Sequence, residues 1–528
     1  MIDHKTERNN EVNTIKNSVH PRKVIVAGPG TGKSYLFSEL IKKKRAEGKA
    51  NFLAITFIGK LGDTLADDLC GLAETMTMHG FARSFVLSQC RGWNYYPRIY
   101  ELIEKDLKTE GVTKFEIGDE NYERKTKHYQ AVGDADVVHY AAKICKEDPN
   151  KIPVYDLILV DEYQDFNAVE SELVDLLAQK NEIVIVGDDD QALYGFKGSS
   201  PSFIREKYDP SNKHFESHTL RFCSRCTEVI IKYSHGLVSK FNLNDPAKKR
   251  IQKDYICYVP DKSDDSTANP KIHLIKDCPV GMIAYKIRSE LEEIVENQKI
   301  KEVLVIGEGR SCEALLKTVA SQLKNYGFKN VGYRGDGEIL NIRNEVTNAY
   351  KLIAKDESST LGWRILGNPT EESVKKKHIS NSKTLSAAMN GTPKKLQEIK
   401  DQAISDLETD IESGTVSDKE VRKSLLFQQL KRSNLYLARP LCNLDITVCN
   451  ILNSKGLGAD VVFLVGFDQG RFPTKKAVTD SEVYQMLVAI TRAKKRIYLI
   501  NTIGKKVSEF ADSIGAGDLE VEEIKTKQ

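Results

Sequence analysis

The sequence predicts an α/β protein with two parallel sheets, and three observations lead there. Short apolar runs rich in β-branched residues recur along the 528-residue chain, each followed by glycine or acidic residues, as buried parallel strands are. Helix-compatible stretches lie between them, and strand–helix alternation is the signature of parallel sheets. The runs also fall into two groups separated in sequence, which favours two α/β lobes over one large sheet.

In order, the first group is KVIVAG (23–28), NFLAITF (51–57), LILVDE (157–162) and EIVIVGDDD (182–190). The second is KIHLIKD (271–277), EVLVIGEG (302–309), DITVCNIL (445–452), DVVFLVGF (460–467) and RIYLIN (496–501). Two charged stretches of helical pattern interrupt the rhythm and read as solvated linkers or accessory subdomains. The expected layout is a first lobe in two parts, 1–81 and 154–232, around a helical insertion at 82–153. A second lobe at 233–369 and 437–515 surrounds a reduced helical insertion at 370–436, and 516–528 is a frayed tail.

Apolar residues make up 40% and charged residues 29%, with a formal net charge of +3, ordinary for a soluble globular protein. No apolar run reaches the roughly 18 residues of a membrane span, and the start MIDHKTERNN lacks the apolar stretch of a secretory signal. No membrane partner and a cytoplasmic location are the expectation. Near-neutrality neither argues for nor excludes a nucleic-acid partner, because a groove can be basic within a balanced whole. Of ten cysteines only Cys223 and Cys226 form a CxxC pair; without a second pair at metal-site spacing, reduced structural thiols are expected.

The strongest local feature is AGPGTGKS, Ala27 to Ser34, between an apolar run and a helical stretch. Gly28, Gly30 and Gly32 let the backbone of this loop, with Pro29 and Thr31 between them, wrap closely around phosphate oxygens. The following helix offers free N–H groups to the anion. Lys33 is placed to reach the β/γ-phosphates of ATP, and Ser34 to ligate Mg²⁺. LILVDEYQD then ends a buried run in Asp161 and Glu162. These suit a carboxylate in the Mg²⁺ shell and a general base for the attacking water. In IVIVGDDDQALYGFKG, Gln191 suits a γ-phosphate sensor, while Tyr194 and Phe196 offer flat faces to unpaired bases.

Taken in order, these stretches resemble motifs I, II and III of the UvrD/Rep/PcrA group of superfamily 1 DNA helicases, in a reduced form. The resemblance continues through AITFIGKLGDTLADDL (54–69) with Thr56 and Phe57, and ETMTMHGFARSF (74–85) with Thr77, His79 and Phe81. SRCTEVI (224–230) with Arg225 and WRILGNP (363–369) with Trp363 follow. LNSKGLGADVVFLVGFDQGRFP (452–473) with Gly456, and EVYQMLVAITRAKKRIYL (482–499) with Arg492, complete the series. It implies two RecA-like P-loop lobes that bind ATP and Mg²⁺ between them. Arg225 and Arg492, from the later lobe, would stabilise γ-phosphoryl charge; Lys197 joins the nucleotide site. Thr56, Phe57, His79, Phe81, Tyr194, Phe196 and Trp363 would meet single-stranded or tailed duplex DNA. The implied activity is an ATP-dependent 3′→5′ DNA helicase or translocase.

The sequence also departs from the family pattern at named positions. The 26 residues before Ala27 hold no Gln to read adenine, leaving Asn10 or Asn13, or a relaxed specificity. The third motif ends in Phe196-Lys197 where Trp-Arg is usual, and Leu452 and Gly458 stand where the family has His and Glu. A nucleotide-regulated sensor or assembly subunit is therefore the alternative reading, and a metabolic P-loop kinase a distant third. The layout resembles that of reduced UvrD-like proteins of anti-phage systems such as Gabija, which implies an OLD-family nuclease as a partner, in a defence or a repair setting.

Overall fold

Strands buried on both faces carry apolar side chains at nearly every position, and thirteen such or flanking segments build two sheets. The computed structural model describes residues 3–57, 65–69, 71–309, 312–334, 349, 351–353, 356, 358–366, 444–474 and 477–524. The first sheet comprises β1 (Arg22–Ala27), β2 (Phe52–Thr56), β3 (Glu74–Thr77), β4 (Leu157–Val160), β5 (Ile183–Gly187) and β6 (Glu216–Leu220). Their order is β3-β2-β4-β5-β1-β6, with every pairing parallel. The second comprises β7 (Ile272–Cys278), β8 (Glu302–Gly307), β9 (Asn330–Arg334), β10 (Asp445–Asn450), β11 (Ala459–Val465), β12 (Ala493–Thr502) and β13 (Leu519–Glu523). It is also parallel, in the order β9-β10-β8-β11-β12-β7-β13.

Strand periodicity sorts the second core cleanly. Val303 and Val305 of β8, Val461 and Phe463 of β11, and Tyr498 and Ile500 of β12 face the helices Ile283–Asn297 and Glu313–Asn325. Their alternates Leu304, Ile306, Val462, Leu464, Ile497 and Leu499 face the helices Glu228–Lys240 and Asp480–Ile490. In the first lobe the helix Lys33–Ala46 lays Leu36, Phe37, Leu40 and Ile41 on Ile25, Ala27, Leu159 and Val184. That is the one-sided spacing of an amphipathic helix.

The chain divides into two compact units. Met1–Phe81, Ala142–Gly335 and Leu435–Gln528 form the larger, which contains both sheets; Ala82–Ala141 and Asp336–Asn434 form the smaller. Within the smaller unit the described residues are mainly helical, with helices Ile99–Thr109 and Glu120–Tyr129 beside a two-residue ribbon of Asn94–Tyr95 and Ala131–Val132. Arg364 pairs with Asp106 at 2.6 Å. Asp136 is buried, accepting from the Gly133 N–H at 2.7 Å and the Tyr122 hydroxyl at 2.9 Å. Burial pushes its carboxyl up to about 6. The expected insertion at 370–436 lies outside the described residues.

Strands β3, β6, β9 and β13 are absent from the sequence reading, and each is a sheet edge. Residues 516–528, expected as a tail, contribute β13, which pairs with β7 from Ile272↔Leu519 to Lys276↔Glu523. Among the described residues no helix is long and apolar enough to cross a membrane.

Candidate nucleotide-binding site

β1 ends in Ala27, and the next residues turn sharply before the helix Lys33–Ala46. Gly30 (φ +69°) and Gly32 (φ +94°) occupy the left-handed region that disfavours side chains. A Cβ added at Gly30 would fall 2.3 Å from the Cβ of Arg225, so glycine is needed for close approach as well as for conformation. Thr31 Oγ1 donates to the Gly28 carbonyl at 2.9 Å, tying the loop. Gly32 caps the helix without a side-chain hydrogen bond, which leaves the first-turn N–H groups for an anion. Ser34 lies half-buried in that turn.

The acidic pair sits directly opposite. Lys33 Nζ donates to Glu162 Oε1 at 2.7 Å and stands 3.8 Å from Asp161 Oδ1. Burial opposes the Lys33 charge, but Glu162 and Asp161 hold it above the usual lysine value. Burial likewise opposes the charge on Glu162, yet Lys33 and Lys455 keep it well below the carboxylate range. Asp161 behaves oppositely: burial raises it to about 6, offset only in part by Lys33. A buried carboxylate short of positive charge, facing the lysine of a phosphate loop, fits a hard divalent cation. Ser34 and Asp161 are the residues that would hold Mg²⁺.

The far wall comes from the second sheet. Lys455, on the turn after β10, is buried; its ammonium pairs with Asp165, lies 3.4 Å from Glu162 Oε2 and donates to the Gln191 carbonyl at 3.1 Å. Gly456 follows at φ +82°. Arg492 closes the helix Asp480–Ile490, whose N-terminus is fixed by a Thr479–Glu482 capping box. It is 2% exposed, and donates to the Val488 and Leu457 carbonyls at 3.0 and 3.1 Å and to Gln191 Oε1 at 3.2 Å. Burial and the nearby Arg225 cation press its guanidinium below the usual value.

Lys33, Asp161, Glu162, Gln191, Arg225 and Arg492 are thus gathered around one loop. Among the nucleotide-site residues, two placements differ from the sequence reading. Arg225 is not on the second sheet: it stands on the connector between β6 and the helix Glu228–Lys240, against Gly30, because the Ser224 N–H donates to the Gly30 carbonyl at 2.9 Å. A Cβ at Gly458 would lie 3.6 Å from Arg225 Nε. Lys197 is not in the phosphate pocket; it is exposed, with Nζ 5.9 Å from the Phe57 ring centre and 5.5 Å from that of Tyr194.

An aromatic flank runs from Phe57 through Tyr194 to Phe196, with ring centres 4.9 and 5.9 Å apart, and Phe196 is 71% exposed. His79 is partly exposed, its Nδ1 3.6 Å from Glu170 Oε1. Thr56 and Phe81, expected on this surface, are buried. Thr56 ends a central strand and Phe81 faces inward from the helix Met78–Gln89, so neither side chain is presented to a ligand. Trp363 lies half-buried on the helix Thr360–Leu366 of the smaller unit. Asn10 and Asn13 are exposed on the helix His4–Asn17; that helix directs Arg8 toward the loop instead, 3.5 Å from Ser224 Oγ.

Sequence reasoning missed Lys455, Asp165 and Gln164. Gln164 joins the acidic pair to the sensor motif, donating to Glu162 Oε2 at 2.6 Å and accepting from the Asp188 N–H at 2.9 Å. The lysine preceding Gly456 in an otherwise matched motif was the available signal for Lys455. Cys223 and Cys226 are buried free thiols, Cys223 donating to the Pro29 carbonyl at 3.0 Å, which accords with a packing role.

Comparison with known proteins gives a consistent picture. A model described as an AAA domain matches residues 11–197, and one described as the UvrD-like helicase C-terminal domain matches residues 171–503. The chain is 22% identical over 448 residues to an ATP-dependent DNA helicase PcrA of Leuconostoc citreum, covering 73% of this chain and 60% of that protein. It is 30% identical over 159 residues to a putative ATP-dependent DNA helicase, YjcD, of Bacillus subtilis, covering 28% of this chain and 21% of the relative. An exonuclease/helicase subunit, RexA, of Lactococcus lactis is 34% identical over 91 residues, or 16% of this chain and 8% of the relative. The chain therefore spans less than two thirds of the length of each of these relatives.

Proposed function

Because this chain belongs to the UvrD-like helicase family, we propose that it is an ATP-driven motor on DNA, moving 3′→5′ along single strands. The observation that carries the reading is the approach of Lys455 and Arg492, from the second sheet, to Glu162, Asp165 and Gln191 of the first. A γ-phosphate at Lys33 would meet groups from both α/β bodies. Its arrival or loss then changes the force between them, which is what translocation requires.

The chain's own residues supply a sequence of events. Lys33 is engaged by Glu162 at 2.7 Å, and incoming phosphates compete for that ammonium. When Lys33 turns to the phosphate, Glu162 loses one of its two cations and becomes more basic. Nucleotide binding thereby readies the group that takes the proton of the attacking water. Ser34 and Asp161 would hold Mg²⁺, which would supply charge neutralisation on the phosphates. Gln191 and Arg492 read the γ-phosphate as a hydrogen-bonded pair, and Arg225 approaches from the loop side. Bases of the single strand stack on Phe196, with Lys197 contributing positive charge beside it. Helicase/nuclease names among the relatives support a separate nuclease chain as partner.

ATP turnover with and without single-stranded DNA, using Lys33→Ala as control, tests the motor. Displacement of 3′-tailed but not 5′-tailed duplexes tests its polarity. Turnover indifferent to DNA would overturn the proposal. Hydrolysis without displacement would favour the sensor reading, for which Gly458 in place of a nucleotide-gripping Glu is the supporting feature.

A further inference from the structure

We propose that Lys253 is a positioning residue for the nucleotide site, acting through Asp188 to fix the orientation of Gln191. The inference rests on the functional reading above and extends it to a residue outside the recognised motifs.

After β5 the chain buries three consecutive aspartates, Asp188, Asp189 and Asp190. Such a cluster could hold a metal ion, but here a lysine ammonium lies among the carboxylates. Lys253 Nζ is 2.6 Å from Asp188 Oδ1 and 2.9 Å from Asp190 Oδ2, and it also pairs with Asp189. Arg205 Nε engages Asp189 Oδ2 at 2.8 Å, and Arg250 grips Asp190 through Nε at 2.8 Å and Nη2 at 2.7 Å. Three cations thus balance three anions. Asp189 and Asp190 each have an arginine of their own, whereas Asp188 depends on Lys253. Burial opposes the lysine charge, and the three aspartates hold it well above the ordinary value.

Asp188 is the member that touches the site. Its Oδ2 accepts from Gln191 Nε2 at 2.7 Å, and Gln191 Oε1 in turn accepts from Arg492 Nη2 at 3.2 Å. A primary amide has two orientations of nearly equal shape, so its hydrogen-bond partners decide between them. With a charged Asp188 on one side and a guanidinium on the other, one orientation makes two good contacts. The flipped one sets oxygen against oxygen and N–H against N–H. The charge on Asp188 therefore selects the orientation, and Lys253 maintains that charge in a buried setting. Lys253 also belongs to the segment that places Tyr255 on the phosphate loop, where a Cβ at Gly28 would fall 2.2 Å from the Tyr255 ring. The same short stretch thus touches both the loop and the sensor.

The test is the preference for a γ-phosphate, measured by fluorescence titration of mant-AMP-PNP and mant-ADP with Mg²⁺. It uses the wild-type chain, Lys253→Met, Gln191→Ala and the double variant. A ratio of two affinities cancels general damage to the pocket. Wild type should favour the γ-phosphate analogue by about tenfold or more, the scale of one charge-assisted hydrogen bond. Each single variant should lose most of that preference, and the double variant no more than either. Lys253→Gln, which keeps a buried donor but not the charge, should show the same loss and serves if Lys253→Met unfolds. Losses that multiply in the double variant, or an undiminished preference in both Lys253 variants, would overturn the role of Lys253 alone. A wild-type chain that binds neither nucleotide would overturn the functional reading together with it.

Discussion

Replacing Lys455 by Met removes a buried cation while nearly conserving its length. The Lys455 and Asp165 side chains are 2% and 0% exposed, so the variant strands a carboxylate that water cannot reach. Burial already raises Asp165 to about 6 with Lys455 present. Deleting one partner of a buried pair costs about 3–5 kcal/mol, whereas replacing both by uncharged groups is often close to neutral. Asn at position 165 still accepts from the Leu193 N–H, now at 3.2 Å from Asp165 Oδ1, and Glu162 retains Lys33. We therefore expect Lys455→Met to cost about 4 kcal/mol and Asp165→Asn about 2–3 kcal/mol. The double variant should cost about 2–3 kcal/mol, giving a coupling of roughly 4 kcal/mol. Urea unfolding followed by far-ultraviolet circular dichroism is the assay, because Trp93 and Trp363 both belong to the smaller unit and report poorly on the larger. Costs that add to within about 0.5 kcal/mol would refute the claim that this pair joins the two sheets.

Phe196→Ala should weaken single-stranded DNA binding by roughly 5- to 150-fold, the equivalent of one lost base stack, and leave DNA-free ATP turnover unchanged; fluorescence anisotropy at fixed salt measures it. Asp136→Asn addresses stability against pH. The folded carboxyl sits near 6 against an ordinary 3.8, so the folded state keeps a proton that the unfolded chain has already released. Wild-type stability should fall as pH rises from about 4 to 6, by an amount on the order of 3 kcal/mol. The Asn variant should be more stable at pH 8, with the difference vanishing near pH 4; thermal melts across that range check it, and a gap independent of pH would refute it.

How much of this was legible in the sequence follows from burial. Strands such as Val303–Ile306 of β8 and Val461–Val465 of β11 have both faces covered, and their continuous apolar runs announce them. The edge strands have no such record. β13 reads LEVEE and is mostly exposed, β3 reads ETMT, and β6 reads ESHTL. A strand at the margin needs only one paired side, so composition does not separate it from a loop. The phosphate loop and the acidic pair were readable because glycines, a lysine and a strand end lie close together in sequence. Lys455 meets Asp165 across a separation of 290 residues, and Lys253 reaches Asp188 across 65. Such pairings depend on how the two sheets are brought together, which no local pattern encodes. Thr56 and Phe81 failed for a related reason, since a matched motif does not say which of its side chains turns inward.

Only residues 221–227 carry the backbone from the last strand of the first lobe into the helix that opens the second core, and Arg225 lies among them. The span that joins the two α/β bodies is thus the same one that presents a guanidinium to the phosphate loop, held there by the Ser224 N–H on the Gly30 carbonyl.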